Sequence, residues 1–231
     1  ASISFGGYVA VRVFGQRLGI VMAALAGGLT SSTATTLALA RLGQGAAASD
    51  RPLAAGILIS CVVMVVRVGV VATLLNAPLL ADLWLPLTVG GSAFAIAALV
   101  LLFHTSGHPH PVIHAANPLE LGMAIKLALA IGIIMLASQV VQDQFGSAGV
   151  LLVAAVSGIV DVDAITISVA NMENSQLGAE TAVQAIALAV GVNTLSKVAM
   201  VFWVGGARLG RYVGMGSAAA LAAAGAALAV F

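Results

Sequence analysis

Two stretches of this chain place oxygen-bearing side chains inside apolar sequence. Residues 157–171 read SGIVDVDAITISVAN and put Asp161 and Asp163 two positions apart. Residues 27–41 read GGLTSSTATTLALAR and supply Thr30, Ser31, Ser32 and Thr33. Carboxylates and hydroxyls of this kind are the ligands of hard cations such as Mg²⁺ or Na⁺. Asp161 and Asp163 are therefore the candidate metal pair, and the four hydroxyls are candidate neutral oxygens. Thr166 in the second stretch and Asn193, just ahead of Lys197, extend the candidate ion-binding set. Arg67 and Lys197 sit deep inside apolar segments and are candidate internal counter-charges, since an unpaired charge at membrane depth costs at least ~2.5 kcal/mol.

The two stretches are copies of one pattern. Gly28 matches Gly158 at a spacing of 130 (158 − 28 = 130), and the same offset carries Ala34 onto Ala164, Thr36 onto Thr166 and Arg67 onto Lys197. Glycine is a poor residue for continuous helix, by about 1 kcal/mol relative to alanine, so each copy is expected to break at its glycine. In lipid a broken backbone survives only where protein or a water-filled cavity satisfies it. Such breaks mark transport sites in duplicated membrane carriers.

Blander readings compete with this one. Thr33 and Asp163 occupy matching positions and are good helix N-caps. Arg67 and Lys197 paired with Asp161 and Asp163 would lock the copies together without binding anything else. In the functional version, cation and basic side chain compete for the same carboxylates. Positions 63, 64 and 66 are Val63, Met64 and Val66, where the second copy has Asn193, Thr194 and Ser196, so the site is expected to be asymmetric. An intramembrane aspartyl protease is disfavoured, because carboxylates two residues apart on a helix point about 200° from each other. No catalytic constellation is read, so the chain is not expected to be an enzyme, and no cofactor is implied beyond the bound or transported ion.

The elements that must position these residues follow from composition. The chain is 61% hydrophobic and 7% charged, with mean hydropathy +1.13, whereas a soluble domain carries roughly a quarter charged residues. Its outside must face lipid. A net charge of +1 gives no case for nucleic acid. Eight apolar segments are expected near 1–14, 18–42, 53–76, 83–104, 119–141, 148–172, 181–206 and 213–231. They are continuous runs, not short alternating ones, so the fold class is an all-α integral membrane bundle. It is organised as a repeat over 1–104, a His/Pro-rich linker over 105–118 and a second repeat over 119–231.

If the motif segment of each repeat is re-entrant, each repeat crosses three times and the second is inverted. Arg12, Arg17, Arg41, Arg51, Arg208 and Arg211 then share one face, as the positive-inside rule demands, and Asp82, Asp143, Glu173 and Glu180 share the other. An unbroken parallel repeat of eight spans is the alternative. His104, His108, His110 and His114 all fall at or in the linker, read as solvated. Gly206, Gly210 and Gly214 have spacing for close helix packing but equally suit a loop. These glycines and the alanine-rich end make a homodimer a plausible partner state. Cys61 is the one cysteine, so no disulfide framework exists, and no signal peptide is read in the opening residues.

GGLTSSTATTLALAR, SGIVDVDAITISVA and the trailing NTLSK together resemble a bacterial membrane domain of unknown function found C-terminal to MgtC/SapB-type domains. The resemblance spans nearly the whole chain. It maps the family's acidic pair onto Asp161 and Asp163, and its N-T-L-x-K onto Asn193, Thr194, Leu195 and Lys197. It implies a multi-pass protein of the bacterial inner membrane, and an association with magnesium homeostasis that belongs largely to the N-terminal domain of such proteins. Three functions remain open at this stage. They are a transporter or channel-like unit for a small inorganic cation, divalent or Na⁺/H⁺-coupled; an anion or organic-acid carrier using Arg67 and Lys197; and a non-transporting regulator that binds a partner protein.

Overall fold

The computed structural model describes residues 16–44, 50–104, 148–172 and 178–229. Every element among them is helical. They are α1 (Gln16–Leu42), α2 (Asp50–Leu75), a 3-10 turn (Ala77–Leu79), α3 (Leu80–Phe103), α4 (Ala148–Val160), α5 (Asp163–Met172), α6 (Ala179–Gly205) and α7 (Ala207–Leu228). The expected segments 53–76, 83–104 and 181–206 match α2, α3 and α6 to within three residues. The last begins earlier than 213, because the residues from Ala207 continue as helix. The segments 1–14 and 119–141 and the linker 105–118 lie outside the described residues, as do Arg12, Asp143, Glu173, His108, His110 and His114.

The chain is a membrane protein. Among the described residues four helices are long and apolar enough to cross a bilayer, and large apolar side chains such as Leu74, Phe103 and Met215 are left on the outside. Helix α2 is apolar on all sides and runs through the centre, packed by α1, α3, α5 and α7. Its Leu53, Ile57, Leu58 and Val68 are fully enclosed.

Helix α1 reaches spanning length on paper, yet it doubles back. Ser31 leaves helical geometry for extended backbone (φ −162°, ψ 110°) in its middle. A Cβ placed on Gly56 of α2 would lie 2.7 Å from Ile20 Cγ2 and 3.0 Å from Leu39 Cδ1. A straight helix would hold Ile20 and Leu39, 19 positions apart, roughly 28 Å from each other. Both halves of α1 therefore return to the same level of α2, and the first motif is a re-entrant hairpin with its tip near Ser31.

Contacts at the helix ends set the directions of the remaining elements. At one end Gln44 Nε2 donates to the Val204 carbonyl (2.8 Å), Arg51 Nη1 to the His104 carbonyl (2.6 Å), and Arg208 lies 3.7 Å from Asp50. The ends of α1, α3 and α6 thus meet the starts of α2 and α7, bringing Arg41, Arg51, Arg208 and Arg211 to one end of the bundle. At the other end Asn76 Nδ2 donates to the Ala170 carbonyl (3.4 Å), joining the ends of α2 and α5, and Asp82 and Glu180 lie in the first turns of α3 and α6 there. Trp84 near the start of α3 and Trp203 near the end of α6 are exposed at opposite ends, as interfacial aromatic residues are. Gly206, the one positive-φ residue described (φ 86°), makes the turn between α6 and α7. Gly210 and Gly214, by contrast, are helical and pack against the Phe202 ring, so the run is a turn at its first glycine and helix contact at the other two.

Replacing Gly56 with Val should wedge α1 off α2. The melting temperature in detergent should fall by several degrees, an overpacking cost of about 1–3 kcal/mol. Gly69→Ala, where a Cβ would sit an ordinary 3.6 Å from Leu87, should leave it unchanged or slightly raised. Equal melting temperatures for the two variants would mean that the hairpin does not press on Gly56.

Candidate functional site

The two helix breaks fall at matching positions, 31 and 161, and lie against each other. The second leaves helix at Asp161 and Val162, between the end of α4 and the start of α5. Thr33 Oγ1 donates to the Val160 carbonyl across the gap (3.3 Å). This corrects the reading of Thr33 as a cap. Ser31 caps the returning half of α1, its Oγ accepting from the Ala34 amide (3.2 Å), while Thr33 bridges the two motifs.

Each break frees carbonyls at the end of the incoming helix, and each set is met by a donor from a long helix. At the first break Arg67 Nη1 donates to the carbonyls of Gly28 and Leu29, both at 3.1 Å. In the second, Asn193 Nδ2 donates to the Gly158 carbonyl (2.9 Å). Gly158 is required there, because a Cβ would lie 2.6 Å from the Ala189 carbonyl oxygen. The backbone of α4 could not otherwise come close enough for Asn193 to reach it.

The basic residues then reach across to the opposite motif. Arg67 forms an ion pair with Asp163, so one guanidinium holds a carboxylate of the second motif and two carbonyls of the first. Five N–H groups in a planar fork suit it to that triple role. Lys197 does not pair with an aspartate through a hydrogen bond, as the sequence had led one to expect. It is fully buried, and its Nζ donates to Ser32 Oγ (2.8 Å) and approaches Met64 Sδ at 3.0 Å. Asp161 is near enough for its charge to act on Lys197, and Cys61 is enclosed beside it.

The remaining candidates separate into those within the site and those beside it. Thr30 is exposed and turns back to the Ala26 carbonyl (3.4 Å), away from the breaks. Thr166 is buried and spent on the Val162 carbonyl (2.9 Å), holding the first turn of α5. Asn193 is different. Its nitrogen faces Gly158, which points its Oδ1 the other way, and that buried oxygen has no donor among the described residues. Asp161 is half-buried in the non-helical residues of the same break. Among the described residues no three His, Cys, Asp or Glu side chains come together as a metal cluster, and Asp163 of the expected metal pair is held by Arg67.

Sequence reasoning passed over Met64, and it expected each break to free carbonyls without saying that they would be those of Gly28, Leu29, Gly158 and Val160. Met64 had a signal available, since it lies three residues from Arg67 on an unbroken helix and so shares its face. The carbonyls had none, because any residue type carries one.

The chain belongs to the family described as a domain of unknown function, DUF4010, whose match covers residues 1–205. It is similar to an uncharacterized protein of Aquifex aeolicus (strain VF5), 28% identical over 184 residues that make up 77% of this chain and 79% of that protein. No solved structure matches it. The link to MgtC/SapB-type proteins rests on the sequence resemblance alone.

A double-mutant cycle on Arg67→Ala and Asp163→Ala, followed by unfolding in detergent, should return a coupling of about 1–3 kcal/mol. The Arg67 change alone should cost more than the Asp163 change alone, because it also strips the donors from Gly28 and Leu29. Additive effects would mean that the cross-motif ion pair contributes nothing.

Proposed function

We propose that this protein is a membrane carrier for a small inorganic cation, seated at the second helix break beside α6. The observation that carries the reading is the buried Asn193 Oδ1, an acceptor with no donor among the described residues, next to a break that also holds the Asp161 carboxylate. A buried acceptor left unpaired costs about 1–3 kcal/mol, and a surplus of acceptors beside a carboxylate is the environment a cation satisfies. Asp161 and Asn193 Oδ1 are the ligands in this proposal. Ser32 is committed to Lys197 and Thr33 to Val160.

The arrangement of helices supports a carrier over a fixed pore. Helices α2 and α6 run in opposite directions, as do α3 and α7 and the two half-helices that leave the breaks, which fits two repeats related by inversion. Contacts between halves follow the same exchange: α1 packs on α6, and α5 packs on α2. Alternating access in such folds is a rocking of one repeat against the other about a central site. Arg67 suits that mechanism as a tethered cation. It fills a carboxylate-and-carbonyl site made by both halves, and its release would loosen them. By the positive-inside rule the arginine end of this multi-pass protein faces the cytoplasm of a bacterial inner membrane.

The test is flux of Na⁺, K⁺, Mg²⁺ and protons into liposomes holding the purified chain, with Asp161→Asn and Asn193→Ala as variants. Flux of one of these cations in the wild type should fall at least tenfold in Asp161→Asn, with helix content and melting temperature retained; in Asn193→Ala it should fall severalfold with helix content retained, at a lower melting temperature because the Gly158 carbonyl also loses its donor. No flux of any of them in the wild type would sink the carrier and favour a regulator that binds a partner membrane protein.

A further inference from the structure

We infer that the site selects a monovalent cation over a divalent one, and that Arg67 is the residue that sets this. The inference rests on the cation reading above and adds the charge of the ion. Outside water, an ion is accommodated only where nearby charge balances its own, and the penalty for imbalance grows steeply with valence. Mg²⁺ also gives up its water reluctantly and demands near-octahedral oxygen ligands.

The charges at the breaks can be counted residue by residue. The two motifs contain two carboxylates, Asp161 and Asp163. The other acidic residues described, Asp50, Asp82 and Glu180, stand in the first turns of their helices, away from the breaks. Asp163 is neutralised by Arg67, whose guanidinium also covers the Gly28 and Leu29 carbonyls. Asn193 Oδ1 brings no charge. Lys197, hydrogen-bonded to Ser32 and set against Met64, adds no negative charge. Counted over the described residues, the site therefore offers a net charge of −1 at most. A monovalent cation balances that; a divalent one leaves an excess positive charge sealed among Lys197, Arg67 and apolar helix. The same pair of aspartates that suggests a divalent site in the sequence is cut to a single available carboxylate by a side chain 96 positions away (163 − 67 = 96).

The experiment is a thermal-shift titration of the full chain in detergent. Sodium, lithium, potassium, magnesium and calcium chlorides are each varied against choline chloride at constant ionic strength. At least one monovalent cation should raise the melting temperature saturably, the effect should vanish in Asp161→Asn, and magnesium and calcium should do no better than the choline control. In Arg67→Gln, which releases Asp163, magnesium should gain at least tenfold in apparent affinity. Asn193→Asp, which leaves Arg67 in place and adds a carboxylate at the expense of the donor to the Gly158 carbonyl, should shift preference the same way if Arg67→Gln does not fold. Saturable stabilisation of the wild type by magnesium, lost in Asp161→Asn, would overturn the valence assignment while leaving the cation site in place. Monovalent stabilisation that survives Asp161→Asn would overturn it as well, by placing the bound ion elsewhere. No response to any cation would remove the underlying site itself.

Discussion

A helix interrupted at membrane depth must find partners for the backbone groups it stops pairing, and water is not there to supply them. Most of what is distinctive in this structure answers that requirement. Two helices break at the depth of the bundle centre, and the carbonyls of Gly28, Leu29, Gly158 and Val160 are met by Arg67, Asn193 and Thr33. None of those donors comes from the helix it serves. Satisfying the breaks is therefore what ties α1 to α2, α4 to α6, and the first motif to the second.

That solution makes the centre of the molecule polar without making it open. Arg67 and Lys197 are both placed where a bare charge is expensive, and each is accommodated differently. Arg67 collects a carboxylate and two carbonyls, while Lys197 is sealed against a hydroxyl and a thioether. The asymmetry has a simple source. Asn193 holds the Gly158 carbonyl at the second break, while Val63, 130 positions earlier (193 − 63 = 130), has no donor to offer, and the longer Arg67 does that work for Gly28. Asn193 then carries an oxygen with nothing to bind, and the proposed cation site grows from that residual acceptor.

A good share of this was legible beforehand. Low charge and continuous apolar runs dictate a helical membrane protein, because only helices and closed barrels satisfy every backbone group in lipid. The boundaries of α2, α3 and α6 follow from where polar residues resume. The glycines and hydroxyls of 27–41 and 157–171 mark the breaks, since these residues tolerate or cap an interrupted helix. Tertiary structure overruled the sequence where a side chain had more than one partner within reach. Thr33 and Ser31 are both competent caps, and packing against Val160 decided that Ser31 would serve. Lys197 had two aspartates to choose from and has its hydrogen bonds with Ser32 and Met64 instead.

What the sequence determined by itself is the set of groups that must be buried together: a pair of interrupted apolar segments, two carboxylates, two basic side chains and a row of hydroxyls, in a chain too apolar to hold them anywhere but its centre. Spacing along the chain carries that much, because helix propensity and hydropathy are local properties. Which charge neutralises which, and which acceptor is left over, only the tertiary structure decided. Pairing depends on distances between residues such as Arg67 and Asp163 or Lys197 and Ser32, and those distances are set by how the α1 hairpin, α5 and α6 lean on α2. No local pattern encodes that, since moving a side chain by a single helical turn would exchange its partner without changing any residue's preference for helix or lipid.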